Sequence, residues 1–162
     1  MKLCIISPGV VHAIPRTKAI APHFDEIHYI DMCGSEKNLF DGLDNIIVHL
    51  PFENGEKTRG GLTLLKLLRE IAPDGIVCHF ASGIHLFISI LYGRCPVAAI
   101  GMGQDILYDK GDSYVPPILR LLIRMAIRRT EFVSAKSVFL AKRVESYGYK
   151  KILDVNYWGA DL

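Results

Sequence analysis

Short apolar runs recur along the chain, separated by stretches in which apolar residues return every three or four positions. Lys2–Ser7 (KLCIIS) reads as a first strand that breaks at Pro8-Gly9. The spacing predicts a helix over Arg16–Phe24, with Pro15 at its first turn. Glu26–Ile30 and Asn45–Leu50 (NIIVHL) read as two more strands, joined by the polar segment Gly34–Asp44. Gly60–Ala72 (GGLTLLKLLREIA) repeats leucine at helical intervals and stops before Pro73. Gly75–Cys78 is a short apolar strand, Gly83–Tyr92 an apolar helix and Pro96–Ile100 another strand. Tyr114–Arg129 reads as a long helix with two prolines in its first turn, where proline is tolerated. Glu131–Ser134 then reads as a strand, Ala135–Tyr147 as a helix and Lys151–Val155 as the closing strand.

Strands alternating with helices, most strands apolar on both faces, define a doubly wound parallel sheet. The expected fold class is therefore α/β, a Rossmann-like three-layer α/β/α domain. At 162 residues the chain has the length of one domain with a sizeable core. It carries no internal repeat and no low-complexity segment.

Charge changes this picture more than composition does. Residues 1–112 carry 10 Lys/Arg against 13 Asp/Glu, whereas residues 113–151 carry 9 against 2. An asymmetry of this size within one domain suggests a face that meets something anionic: a membrane, a nucleic acid or a phosphorylated ligand. The four cysteines, Cys4, Cys33, Cys78 and Cys95, form no CxxC pair and have no metal-ligand spacing; Cys4, Cys78 and Cys95 lie in or beside apolar runs and read as small hydrophobes, and a reducing cytoplasm fits best. No apolar run reaches the length of a membrane-spanning helix, and the N-terminus reads as a strand rather than a signal peptide.

In an open parallel sheet, ligands bind beyond the carboxyl ends of the strands. Three loops fall there. Ser7-Pro8-Gly9-Val10-Val11-His12 follows the first strand, with Arg16 one turn later. Gly9 gives a ligand access to backbone, and a helix start offers unpaired N–H groups to a phosphate. His12 and Arg16 read equally well as solvent-facing turn residues. No glycine-rich dinucleotide fingerprint is present, which argues against a bound nicotinamide or flavin, so no cofactor is expected. In the second loop, His79 ends a buried strand, positioned either for a sugar or phosphate oxygen or for backbone satisfaction. The third, Ile100-Gly101-Met102-Gly103-Gln104-Asp105, places Gly101 and Gly103 directly after a strand, with Asp105 best read as a cap. His23, His28, His49 and His85 have no spacing that suggests a metal, and none is expected.

Arg120, Arg124 and Arg128 recur every four residues and line one side of a helix, with Arg129 beside them. Leu119, Leu122, Ile123, Ala126 and Ile127 form its apolar remainder. Such a helix lies on an anionic membrane surface or presents a solvated face to water. Nucleic acid is a poor partner, because no aromatic residues interleave the charges.

Taken in order, these loops resemble the N-terminal domain of GT-B-fold glycosyltransferases, glycosyltransferase family 4 in particular. The segment "APDGIVCHFASGIHLFISILYGRCPVAAIGMGQDIL" is similar to the family's "PDiiHaHya…G…a…g.PvvvtvHGsDi" block. His79 matches the histidine after the fourth strand, and Gly103 and Asp105 match the glycine and aspartate of the HGxD element. The final "RRTEFVSAKSVFLAKRVESYGYKKILDVNYWGADL" is similar to the stretch that leads to "PnGVD" or "WGVD". Gly9, His12 and Arg16 resemble the region lining the acceptor side of the cleft. The resemblance implies that residues 1–155 form an acceptor-side domain and 156–162 open an interdomain linker. A second Rossmann-like half would hold the nucleotide-sugar, with the diphosphate-binding Arg/Lys pair and the EX7E motif. It further implies retention of anomeric configuration without a divalent metal, a saccharide or lipid-linked acceptor, and a cytoplasmic enzyme peripheral on the inner membrane face, engaged in cell-surface polysaccharide synthesis. Alone, this half is expected to be inactive.

One position departs from the family. Met102 stands where His or Trp commonly precedes the glycine, and a thioether donates no hydrogen bond to a sugar hydroxyl. A competing reading takes the chain as a complete, non-catalytic α/β binding or interaction module. A receiver-type signalling domain does not fit, because the first strand ends in Ser7-Pro8-Gly9 rather than in an acidic cluster.

Overall fold

The computed structural model describes residues 1–7, 10–34, 39–51, 60–81, 83–103, 106–107 and 117–155, with backbone alone at 10 and 11. Seven strands form the sheet: β1 (Lys2–Ser7), β2 (Glu26–Asp31), β3 (Ile46–His49), β4 (Gly75–His79), β5 (Val97–Gly101), β6 (Phe132–Ala135) and β7 (Ile152–Val155). Five helices connect them: α1 (Val10–Ile20), α2 (Gly60–Ile71), α3 (Ile84–Tyr92), α4 (Pro117–Arg129) and α5 (Val138–Ser146). The strand order is β3-β2-β1-β4-β5-β6-β7, and every neighbouring pair is parallel. This is the expected doubly wound α/β domain, with its order reversing between β1 and β4.

The two faces of the sheet are packed unequally. On one, α2 to α5 cover Cys4, Ile6, Ile76, Cys78, Ala99, Val133 and Ala135. Helix α2 does so with Leu64, Leu68 and Ile71, the stripe its leucine spacing predicts. The other face carries α1 through Ala13, over Leu3, Ile5, Ile27 and Tyr29, with Phe40 against Tyr29. Burial pushes the Cys78 thiol up to about 12 and raises Cys4 well above its ordinary value, so both behave as apolar groups.

Most strand ends shift from the sequence reading by one residue, and two helices shift by more. Helix α1 starts at Val10 and carries Pro15 inside it, then gives way to a 3-10 turn at Ala21–His23. The helix is already under way at Val10, five residues before Pro15, and tolerates one missing N–H. Strand β6 continues to Ala135, which pairs with Gly101, and α5 starts only at Val138. Its N-cap is Ser137, whose hydroxyl oxygen accepts from Leu140 N at 3.3 Å. Helix α4 opens on Pro117. The expected start at 114–116 and the expected linker at 156–162 lie outside the described residues.

Candidate functional site

Register creates a feature that no single segment displays. Asp31 of β2 stands opposite Ser7 of β1. His79, Ile100, Ser134 and Asp154 form one continuous register row across β4, β5, β6 and β7. Ser7 lies one step beyond the Ile6–Cys78 pair and so joins the two parts. Residues in one row share a face. On the α1 face, apolar rows therefore give way at the carboxyl ends to a row that is polar except for Ile100. Asp31, Ser7, His79 and Ser134 are buried, and Asp154 is exposed.

A groove of about 370 Å³ opens over this row. Arg16, His79, Ser134 and Asp154 give it polar lining, and Val77 and Phe132 are among its apolar walls. His79 is 2% exposed and Ser134 3%, and both His79 Nδ1 and Ser134 Oγ are buried without a hydrogen-bond partner. Buried polar atoms are seldom left so, which marks this end of the sheet as a place for polar chemistry. Burial lowers the His79 pKa to about 4, with Arg16, His85 and His12 acting in the same direction. At neutral pH the ring is an uncharged hydrogen-bonding group beside a guanidinium. Burial also lowers the Arg16 pKa from its ordinary value.

The sequence candidates divide clearly. His12, Arg16 and His79 come together at the switch point. Met102 joins them, its thioether sulfur 3.6 Å from Arg16 Nη1 and accepting from it. The residue that cannot donate to a sugar instead holds the arginine. Gly103 has φ +143°, a backbone state that requires glycine, and its carbonyl accepts from Ile106 N and Leu107 N. Gly101 has a packing reason of its own, because a Cβ there would lie 2.1 Å from Ile106 Cδ1. Gly9 and Asp105 lie outside the described residues.

His85 is a residue that sequence spacing passed over. It is buried in the first turn of α3, and its Nε2–H donates to the carbonyl oxygens of His79 (2.7 Å) and Phe80 (2.9 Å). Phe80 has φ +67°, so this clamp holds a strained turn directly after the candidate ligand residue. Asp31, Ser134 and Asp154 are not signalled by the sequence either, since each strand contributes only one of them.

Of the arginines on α4, Arg124 places its guanidinium 5.0 Å from the Tyr147 ring centroid, and Arg128 Nε donates to the Tyr147 carbonyl. Arg120 is half-buried, and Arg128 and Arg129 are exposed at the far end of the helix. The stripe is thus partly engaged with the end of α5. Among the described residues no helix is long and apolar enough to cross a membrane, and no group of His, Cys, Asp or Glu has metal-site geometry. A larger cavity, about 670 Å³, opens beside edge strand β3 against α2, away from the switch point.

No family model and no curated protein matches the sequence. Solved structures do match its fold. A UDP-N-acetylglucosamine 2-epimerase from Rickettsia bellii aligns over 96% of this chain and 44% of its own, at 12% identity and TM-score 0.65. The UDP-GlcNAc 2-epimerase from Neisseria meningitidis, bound to UDP-GlcNAc, covers 96% and 45%, at 14% identity and TM-score 0.65. UGT73P12 from Glycyrrhiza uralensis, complexed with glycyrrhetinic acid 3-O-monoglucuronide, covers 93% and 47%, at 14% identity and TM-score 0.55. The chain spans less than half the length of each. At these identities the likeness establishes the shared Rossmann-like fold.

Proposed function

We propose that this chain is the N-terminal, acceptor-side half of a retaining glycosyltransferase resembling family 4, which moves a sugar from a nucleotide-sugar to a saccharide or lipid-linked acceptor. One observation carries the reading. At the switch point of the sheet, Arg16, a neutral His79 and the unpartnered Ser134 hydroxyl line one groove. The fold that holds them is shared with GT-B-fold nucleotide-sugar enzymes. A guanidinium suits a phosphate or a sugar hydroxyl, and an uncharged imidazole donates or accepts without adding charge. In this reading the nucleotide-sugar sits on a second, C-terminal half, across the cleft. The same reading includes peripheral attachment to an anionic membrane, with Arg120, Arg124, Arg128 and Arg129 as the sequence's candidates, and a place in cell-surface glycan synthesis. A second reading, epimerisation of a nucleotide-sugar, draws on the epimerases among the similar structures.

Titration calorimetry of residues 1–162 with UDP-N-acetylglucosamine is expected to show no Kd tighter than about 1 mM. A Kd below about 10 μM would overturn the division of labour between the halves. In the polypeptide encoded by the whole reading frame, His79→Ala or Arg16→Ala should lower kcat/KM for transfer about 10- to 100-fold, the loss of one charged or buried hydrogen bond. A reading frame that stops after Leu162 would favour the binding module instead. Conversion of the probe to a free or epimerised sugar without transfer would favour the epimerase.

A further inference from the structure

The cavity of about 670 Å³ beside β3 and α2 has no part in the site described above. Among its walls stand His49 of β3 and Lys66 and Glu70 of α2, with Val48, Leu50 and Leu67 as apolar neighbours. His49 does not stand alone. Its Nε2 lies 2.8 Å from Nδ1 of His28 on β2, and the other nitrogen of His28, Nε2, reaches Glu26 Oε1. The two rings are within 15° of parallel, and their centroids are 5.1 Å apart. That is the greatest separation a 2.8 Å contact allows, so both nitrogens lie in line between the ring centres. An N–H and a lone pair meet best in that arrangement. Glu26, His28 and Ile30 share one face of β2, and Ile30 pairs with His49. The hydrogen-bonded chain therefore climbs obliquely from the amino end of the sheet to the cavity.

The carboxylate at one end fixes every proton along this chain. The hydrogen bond from His28 is the main cause that holds the Glu26 pKa below its ordinary value, so the carboxylate is ionised near neutrality. An ionised carboxylate only accepts, so His28 carries its hydrogen on Nε2 and offers the lone pair of Nδ1 to His49. His49 then donates from Nε2, which leaves its outer nitrogen, Nδ1, as a lone pair that no described residue engages. A proton taken up at that nitrogen reverses the chain. The Nε2 hydrogen of His49 passes to His28 Nδ1, the cation settles on His28 against Glu26, and His49 ends neutral with its hydrogen outside. Burial and the neighbouring His28 both hold the His49 pKa below its ordinary value, which keeps the charge off His49 itself. The groups that face the pair are Glu26 with Lys2, whose Nζ stands 3.7 Å from Glu26 Oε1, and the buried Cys4 of β1 in the row of His28. Lys66 and Glu70 face it from α2. Of these side-chain types only imidazole changes its charge between about pH 5 and 8.

We propose that this cavity is a proton-gated site for an oxyanion, a carboxylate or a phosphate-like group, with the outer nitrogen of His49 as its gate. Without the extra proton, an anion there meets the His49 lone pair and, behind it, the negative charge of Glu26. With one proton on the chain, the same nitrogen donates to the anion and His28 neutralises Glu26, so repulsion gives way to a charge-assisted hydrogen bond. Lys66 supplies the full positive charge. It is 80% exposed and 3.8 Å from Glu70, a weak surface pair from which the ammonium turns to a bound anion. Val48 adds a backbone N–H. The ladder to β2 uses alternate residues of this segment, with Asn45 O accepting from Ile27 N, and so turns Val48 towards the open edge. The switch-point groove and its chemistry play no part in this site.

Imidazole-nitrogen and amide NMR of the 162-residue chain tests it, with sodium sulfate and sodium acetate added in separate arms at constant ionic strength. Circular dichroism checks that the chain is folded at both pH values used. At pH 8.0 His49 should carry its hydrogen on Nε2, and at pH 5.5 on Nδ1 with His28 doubly protonated. Sulfate stands for a phosphate-like group and acetate for a carboxylate, and the tighter of the two names the source. That anion should shift the His49 and Val48 signals and bind at least about tenfold tighter at pH 5.5 than at pH 8.0. Glu26→Gln, at a partly exposed position, should mix the two His49 tautomers at pH 8.0 and cut the pH effect to under about threefold. Lys66→Gln should weaken binding about tenfold at pH 5.5 and leave the tautomers unchanged. Should Glu26→Gln fail to fold, the wild-type tautomers and Lys66→Gln decide. The proposal is overturned if both anions bind without dependence on pH, or if His49 carries its hydrogen on Nδ1 at pH 8.0. It is equally overturned if Glu26→Gln keeps the full pH effect, if Lys66→Gln binds like wild type, or if the anions move Arg16 and His79 signals but not those of His49.

Discussion

Replacing His85 with alanine is expected to cost about 3 to 5 kcal/mol of stability and to release the turn that follows β4. The imidazole is 3% exposed, and one N–H serves the carbonyls of both His79 and Phe80. Without it, two buried carbonyls lose their partner, at about 1 to 3 kcal/mol each, and a ring-sized void opens under α3. The left-handed Phe80, at φ +67°, then lacks the contact that offsets its own strain of about 1 to 2 kcal/mol. Gly83 belongs to the same device, because a Cβ there would lie 2.0 Å from the His85 ring. Gly83→Ala must push the ring off its two carbonyls. Urea unfolding of the single variants and the double variant forms the decisive cycle. The double variant should be no less stable than His85→Ala alone, since both changes break one clamp. Additive losses would show that Gly83 and His85 act independently. Because His79 ends the strand that this clamp terminates, amide and imidazole NMR signals of His79 should move in both single variants.

The sheet was legible in the sequence because parallel strands buried on both sides read as short, nearly unbroken apolar runs. The leucines of α2 announced their own face. What stayed hidden depends on relations between segments. The polar row of Asp31, Ser7, His79, Ser134 and Asp154 exists only once six strands are in register, and a single Ser or Asp at a strand end carries no signal alone. The arginine spacing on α4 gave the helix face correctly. It said nothing of Tyr147, 23 residues beyond Arg124, whose ring and carbonyl engage Arg124 and Arg128. Helix α1 was misplaced for a local reason, since Pro15 matched the profile of a helix opener while the loop before it made the actual start. Met102 shows the opposite case. A departure from the pattern that the chain otherwise resembles supplies a contact to Arg16 instead.

Acid should begin to destabilise this domain above the ordinary carboxylate range, and His79 should be the main cause. Its pKa lies near 4 in the fold, chiefly through burial, against an ordinary value of 6.5. Between those two values the unfolded chain holds a proton that the folded chain refuses. Stability therefore rises with pH across this window and falls as pH is lowered through it. Above pH 6.5 both states are neutral and the effect vanishes, and below about 4 it has reached its full size, on the order of 3 kcal/mol. His85 and His49, both lowered mainly by burial, add to the loss in the same direction. The lowered pKa values of Asp25 and Glu26 act only as pH falls below their ordinary values, 3.8 and 4.5, so they meet the histidine window only at its acid end. Urea midpoints for wild type and His79→Asn at pH 7.0, 5.5 and 4.5 read the difference directly. The variant loses some packing at every pH, and only the change with pH matters. From pH 7.0 to 4.5 wild type should lose about 2 to 3 kcal/mol more than His79→Asn. Parallel losses would mean that His79 takes up its proton in the fold, and a charged His79 beside Arg16 would change the chemistry of the groove from hydrogen bonding to anion capture.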